Sequence, residues 1–149
     1  MRLNNKIALV TGAGSGFGRG IAARFAEEGA KLVVADINEE AAKMVAGEIG
    51  DSAIAVVADV SKNSDVEAMI QQTVAQWGRL DILVNNASAI ALQATTELSM
   101  RRFDLMFAVN VRGSYCCSRA AIPHLLKAVN PHILNLSPPL NLNPEWFRN

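Results

Sequence analysis

Residues Lys6 to Gly18 read KIALVTGAGSGFG, and the fold follows from this stretch. Ile7, Ala8, Leu9 and Val10 form a short apolar run, the length of a buried strand. Thr11 then leads into Gly12, Gly14, Gly16 and Gly18. From about Gly16 the sequence turns helical, with Phe17, Ile21, Ala22 and Phe25 on one face. Strand, glycine turn and helix together make a pyrophosphate site. A helix N-terminus offers N–H groups without intrahelical partners and a partial positive charge. Residues without a Cβ let the backbone bend tightly and approach a phosphate. A glycine pattern alone also fits a plain flexible turn; the flanking strand and helix argue for the site.

At 149 residues the length fits a single domain, 1–149, with room for a real core. Half of the residues are hydrophobic, which excludes disorder. Formal net charge is zero and no basic block appears, so nucleic acid and anionic membranes have no electrostatic support as partners. No apolar run approaches the roughly 20 residues of a membrane span. The start, MRLNNKIALV, has too short an apolar stretch for a signal peptide. Cys116 and Cys117 are adjacent in a helical pattern and indicate neither a disulfide framework nor a metal site. The expectation is a soluble cytoplasmic protein.

Outward from the glycine turn, the first helix runs to Glu28, with Gly29 as its cap. Lys31 to Ala35 is a second buried strand, and Asp36 stands at its end. In a dinucleotide fold an acid there accepts hydrogen bonds from the adenosine ribose and repels a 2′-phosphate. Neither Ile37 nor the glycine turn offers a cation to that phosphate, so NAD is favoured over NADP. The competing reading makes Asp36 a cap for the helix beginning near Asn38. That helix closes on Gly50, and Ala53 to Ala58 is the third strand, ending in Asp59-Val60. Asn63 or Ser64 caps a helix running to about Trp77. Leu80 to Val84 is the fourth strand and ends in Asn85-Asn86. A long helical region, Leu98 to about Val129, carries an apolar stripe of Met106, Val109, Tyr115, Cys116 and Ile122, with a break near Val109 to Gly113 and a kink at Pro123. Pro131 to Leu136 is a fifth strand, and the Pro- and Asn-rich remainder is a loop. Strands alternating with helices give an α/β fold, a doubly wound parallel sheet of about five strands. The polar tips Thr11, Asp36, Asp59 and Asn85-Asn86 then share its carboxyl edge, where such sheets bind ligands.

These motifs together resemble the short-chain dehydrogenase/reductase family over nearly the whole chain. TGAGSGFG matches its TGxxxGxG turn, and Asp36 its NAD-selecting acid. Asp59-Val60 matches its adenine-contacting pair, and Gly78 to Ala87 its central strand with the NNAG motif. Asn110, in NVRG, matches the asparagine of its catalytic helix; Ile133 to Ser137 matches the strand carrying its catalytic serine. The resemblance implies a Rossmann-like sheet of order 3-2-1-4-5. It also implies a glycine turn (Gly12, Ser15, Gly16, Phe17, Gly18) that holds the pyrophosphate. Asp59 and Val60 would then take the adenine, and Asn86 and Ala87 would border the nicotinamide-side ribose. Asn110 would serve a proton relay and Ser137 would steady the oxygen of a small alcohol or carbonyl substrate. The family commonly pairs through its long helices, which makes Leu98 to Val129 the expected homo-oligomer contact.

The chain departs from the family pattern at three places. Ser88 replaces the glycine of NNAG. Pro138 stands where the second serine of NxSS is usual. The YxxxK pair would fall just beyond Asn149, so the fold is expected to be incomplete at its C-terminal end, where the catalytic and substrate-binding part belongs. Tyr115 is the sole tyrosine, with Arg119 four residues on. They read as helix packing and a solvated arginine, since arginine does not exchange protons at ordinary pH. His124 and His132 lack neighbours at ligand spacing and read as structural or exposed. Three functions compete: an NAD-dependent oxidoreductase present as an N-terminal portion without activity by itself, a dinucleotide-binding module without catalysis, and a methyltransferase using the same glycines as GxGxG. The NNA motif and the Gly12-to-Gly16 spacing count against the last.

Overall fold

The structure, a computed structural model, describes residues 1–137. Among them five strands form one sheet: β1 (Ile7–Thr11), β2 (Lys31–Asp36), β3 (Ala53–Val57), β4 (Ile82–Asn85) and β5 (His132–Asn135). The helices are α1 (Gly16–Glu27), α2 (Glu39–Ile49), α3 (Asn63–Trp77), α4 (Met100–Met106) and α5 (Ser114–Leu125). A π-helical segment, Phe107–Gly113, joins the last two. Strand order is β3-β2-β1-β4-β5, every pair parallel, as the alternation implies. The Rossmann-like arrangement follows.

Side-chain alternation along the strands divides the core in two. Leu9, Val33 and Leu83 point to one face, where they meet Val66, Met69 and Ile70 of α3 and Cys117, Ala121 and Leu125 of α5. Ala8, Val10, Leu32, Val34, Ile82 and Val84 point to the other, against Ala22 of α1 and Ala42 and Val45 of α2. One row of paired residues, Ile54–Val33–Leu9–Leu83–Ile133, crosses the whole sheet. Burial on both faces explains why β1, β2 and β4 read as continuous apolar runs rather than alternating ones.

Several local expectations need correction. Lys62, not Asn63 or Ser64, is the N-cap of α3, and it makes no side-chain cap bond. Glu28 is the C-cap of α1, and Gly29 follows it with φ of +90° and donates its N–H to Ala26 O. Phe17 does not share the buried face of α1; it is 84 % exposed, while Ala22 is buried. In the long helical region the stripe is out of phase. Cys117, Ala121 and Leu125 face the core, whereas Tyr115 is 64 % exposed and Ile122 lies on the surface. The π segment is the reason, because its wider turn shifts every later side chain around the axis relative to an uninterrupted 3.6-residue helix. The predicted break near Val109 to Gly113 falls inside this segment. Pro123 sits in the last turn of α5, two residues before its end. β5 pairs with β4, but its residues are exposed. The predicted loop after Ser137, Pro138 included, lies outside the described residues.

The glycines of α1 make contrasting demands. A Cβ on Gly18 would collide with Gly12 O and come within 2.5 Å of Asn86 Nδ2, while a Cβ on Gly20 would meet nothing within 4 Å. Gly18→Ala should therefore lower stability by about 2–3 kcal/mol, as overpacking does. Gly20→Ala should raise it by about 0.5–1 kcal/mol, by restricting the unfolded chain. Urea-unfolding midpoints of the two variants should move in opposite directions.

Candidate functional site

At the carboxyl edge the strand tips surround a cleft of about 480 Å³. Gly12, Ser15, Gly16 and Phe17 line one side, Asp36, Ile37, Asp59 and Val60 a second, and Asn86, Ala87, Ser88, Ala89 and Val109 a third. Of the residues singled out as cofactor contacts, Gly18 alone is absent from the lining. It is buried behind the turn, against Gly12, Ala13 and Asn86.

Thr11 holds the centre. It is 1 % exposed, and its Oγ1 donates to Val84 O at 3.2 Å. The same oxygen accepts from the N–H groups of Asn86 and Ala87, both at 3.1 Å. The Asn86 amide donates to Thr11 O at 2.9 Å and Gly12 O at 3.0 Å. The tips of β1 and β4 are thereby locked together, and Gly12, with φ of +62°, turns tightly against Ala87. Threonine was visible in the sequence as a polar strand end, but its part as a hub appears only when β1 and β4 are neighbours.

Asp36 serves two neighbours. Its Oδ2 accepts from Gly14 N at 2.8 Å and its Oδ1 from Asn38 N at 2.9 Å. It does not cap α2; Asn38 does, accepting from Ala41 N at 3.1 Å. A Cβ on Gly14 would lie 2.9 Å from Asp36 Oδ2 and 2.8 Å from Ala41 Cβ, so Gly14 is what lets the turn reach this carboxylate. The sequence reading gave Gly14 no such part; a polar group at the end of β2 facing the turn is the signal that could have found it.

Asp59 accepts from Ser61 Oγ at 2.7 Å and Ser61 N at 3.0 Å, with Lys62 Nζ 3.7 Å away. Burial by itself would lift its carboxyl, but the bonds from Ser61 and the charge of Lys62 outweigh that and hold it below the usual carboxylate value. Val60 is buried, and Gly113 packs so close that a Cβ there would lie 2.9 Å from Val60 Cγ2. Arg112 donates to Ser61 O at 3.1 Å, a second tie between the π segment and this loop.

Asn110 and Ser137 do not line the cleft. Asn110 instead clamps its wall: Oδ1 accepts from Ala89 N at 2.8 Å and Nδ2 donates to Ala89 O at 2.9 Å. Ser137 lies two residues beyond β5, and Leu136 N donates to Asn85 O at 3.0 Å. Asn85, 4 % exposed, crosslinks β5 to α5 through Asn135 Oδ1 at 2.7 Å and Ser118 Oγ at 3.0 Å. Tyr115 and Arg119 sit on the outer surface of α5, away from the cleft lining. Burial pushes the Cys117 thiol up to about 12, which makes it inert at neutral pH. Among the described residues no group of three or more His, Cys, Asp or Glu could hold a metal, and no helix is long and apolar enough to cross a membrane.

The family model of the short chain dehydrogenases matches residues 6–145. The chain is 44% identical to hydroxysteroid dehydrogenase-like protein 2 of Danio rerio over 151 residues, covering 95% of this chain and 36% of the relative. It is 40% identical to the protein of that name from Homo sapiens over 157 residues, covering 99% and 38%. A 3-ketoacyl-(acyl-carrier-protein) reductase from Brucella melitensis, solved with NADH, superposes with a TM-score of 0.86 at 47% identity, covering 89% of this chain and 57% of that one. The chain thus spans little more than a third of the length of these curated relatives.

The lowered Asp59 carboxyl gives a pH test. Its folded pKa lies below the unfolded value of about 3.9, so its contribution to stability is complete well above pH 4 and is lost as pH falls through the folded value. Asp59→Asn should lose less stability between pH 6 and pH 3 than the unaltered chain, by urea unfolding at both pH values. Identical losses would remove the assignment.

Proposed function

The chain belongs to the short chain dehydrogenase family, and we propose that it forms the dinucleotide-binding part of an NAD-dependent oxidoreductase acting on a small alcohol or carbonyl compound. The observation that carries this reading is the convergence of the glycine turn, Asp36 and Asp59-Val60 on one cleft at the carboxyl edge. The methyltransferase alternative loses its basis with the family assignment.

The cleft suits a dinucleotide. Gly16 lines the cleft with φ of +52°, and a Cβ there would meet nothing within 4 Å, which leaves room for a phosphate. α1 begins with no side-chain cap and no acid in its first turn, so its first N–H groups and its dipole remain available to an anion. Gly12, Ser15, Gly16 and Phe17 would hold the pyrophosphate, with Gly18 letting α1 approach behind them. Asp36 has one bond on each oxygen and retains lone pairs for ribose hydroxyls. Its negative charge opposes a 2′-phosphate, which supports NAD over NADP. Asp59 would accept from the adenine amino group, and Val60 would lie beside the ring. Asn86 and Ala87 would border the second ribose.

When bound, the nicotinamide supplies the hydride acceptor or donor. Ser137 would steady the substrate oxygen as a hydrogen-bond partner. Asn110 would act through the wall it holds, fixing Ala89. The general acid or base is a different matter. Tyr115 and Arg119 stand outside the cleft lining, and arginine cannot relay a proton. The chain by itself is therefore read as binding a dinucleotide without turnover. A non-catalytic dinucleotide-binding module is the second reading, favoured by the same position of Tyr115. Pairing with a second copy through the long helical region is supported by the exposed Phe107 and Val111 of the π segment and Tyr115 and Ile122 of α5.

Calorimetric titration tests the cofactor reading. NAD should bind about tenfold or more tightly than NADP, a difference of about 1.4 kcal/mol or more, because the Asp36 carboxylate repels the added phosphate. Asp36→Ala should erase that preference and weaken NAD as well, because Gly14 N–H loses its acceptor. Equal affinity for the two cofactors in the unaltered chain would sink the assignment of Asp36.

A further inference from the structure

The cleft wall formed by residues 86–89 is held at both ends. Thr11 Oγ1 takes the N–H groups of Asn86 and Ala87, both at 3.1 Å, and the Asn110 amide grips Ala89 at 2.8 and 2.9 Å. Ser88 lies between these anchors, is exposed, and lines the cleft. Among the described residues its hydroxyl makes no hydrogen bond to the protein. Its backbone does not need glycine either: the non-glycine residues with positive φ are Asn5 and Asn130. A side chain at this position therefore costs the fold nothing in backbone strain. It places one donor and two acceptor sites on a wall anchored on either side by hydrogen bonds.

We propose that the Ser88 hydroxyl hydrogen-bonds a hydroxyl of the nicotinamide-side ribose, a cofactor contact that glycine at this position lacks. The proposal rests on the dinucleotide reading, which puts Asn86 and Ala87 beside that ribose. Ser88 continues the same wall by one residue and lines the same cleft. A ribose hydroxyl and a serine hydroxyl are each donor and acceptor, so they pair in either sense. Both anchors restrict the wall before the ligand arrives, which limits the ordering cost of forming the bond.

The test is calorimetric titration of the full chain with NAD, ADP-ribose and ADP, comparing the unaltered protein with Ser88→Ala and Ser88→Thr. ADP-ribose keeps the second ribose and lacks nicotinamide; ADP lacks both. Ser88→Ala should weaken NAD and ADP-ribose each by about three- to tenfold, the range for one net hydrogen bond, and leave ADP unchanged. Ser88→Thr, which keeps the hydroxyl, should restore both. An equal loss with all three ligands, no loss with any, or a loss confined to NAD would overturn the ribose contact. An unaltered chain that binds none of the three would overturn the dinucleotide reading itself, and this contact with it.

Discussion

The glycine turn and the tip of β4 approach each other too closely for a Cβ to stand between them, and the cleft depends on that contact. Gly12 lies with its absent Cβ 2.8 Å from Ala87 Cα, and Gly18 presses against Gly12 and Asn86 from behind. Close approach lets the Asn86 amide reach both Thr11 O and Gly12 O. It also lets Thr11 take two N–H groups of the opposite strand tip. These backbone groups are partly buried, where an unpaired donor is costly, so the hydrogen bonds need the glycines that permit this approach.

β1 and β4 are clamped at their other ends as well, by different chemistry. Asp81, 2 % exposed, accepts from Ile7 N at 2.8 Å and from Arg79 Nε at 2.9 Å, with Lys6 Nζ 3.9 Å away. A buried carboxylate is expensive, and here a backbone N–H and two cations offset the cost. The two ends of the central strand pair thus differ. The amino edge is fastened by an ion network, the carboxyl edge by a neutral hydroxyl and an amide. The carboxylates that do face the cleft, Asp36 and Asp59, each accept from neighbouring backbone N–H groups, which ties their positions to the loops that carry them.

The π segment connects the cleft to the outer helix. Three of its residues touch the site from outside: Asn110 holds Ala89, Arg112 holds Ser61 O, and Gly113 admits Val60. A helix that widens for seven residues and then resumes shows different faces before and after. That change of face leaves Phe107, Val111, Tyr115 and Ile122 on the surface while Cys117, Ala121 and Leu125 reach the core. β5 ends the described sheet with Ile133 and Leu134 exposed, a strand edge that globular proteins normally cover.

What the sequence determined by itself was the local grammar of the sheet. Apolar runs of four to six residues closed by polar tips, separated by amphipathic stretches and glycine stops, place all five strands and the first three helices. Right-handed parallel crossovers then carry Thr11, Asp36, Asp59 and Asn86 to one edge. These features are legible because they depend on residues near one another along the chain, or on a connection rule that allows one answer. Other features depend on which strand lies next to which and at what distance. The grip of Asp36 on Gly14 was of this kind, and so were the hub at Thr11 and the clamp of Asn110 on Ala89. The capping of α3 at Lys62 and the phase of α5 also escaped the pattern. A helical period assumes a constant turn, and an inserted π turn breaks that assumption without leaving a mark in hydropathy. Tertiary structure decided the grip, the hub and the clamp, because hydrogen bonds between residues 21 to 75 positions apart exist only once packing has brought them to 3.1 Å or less.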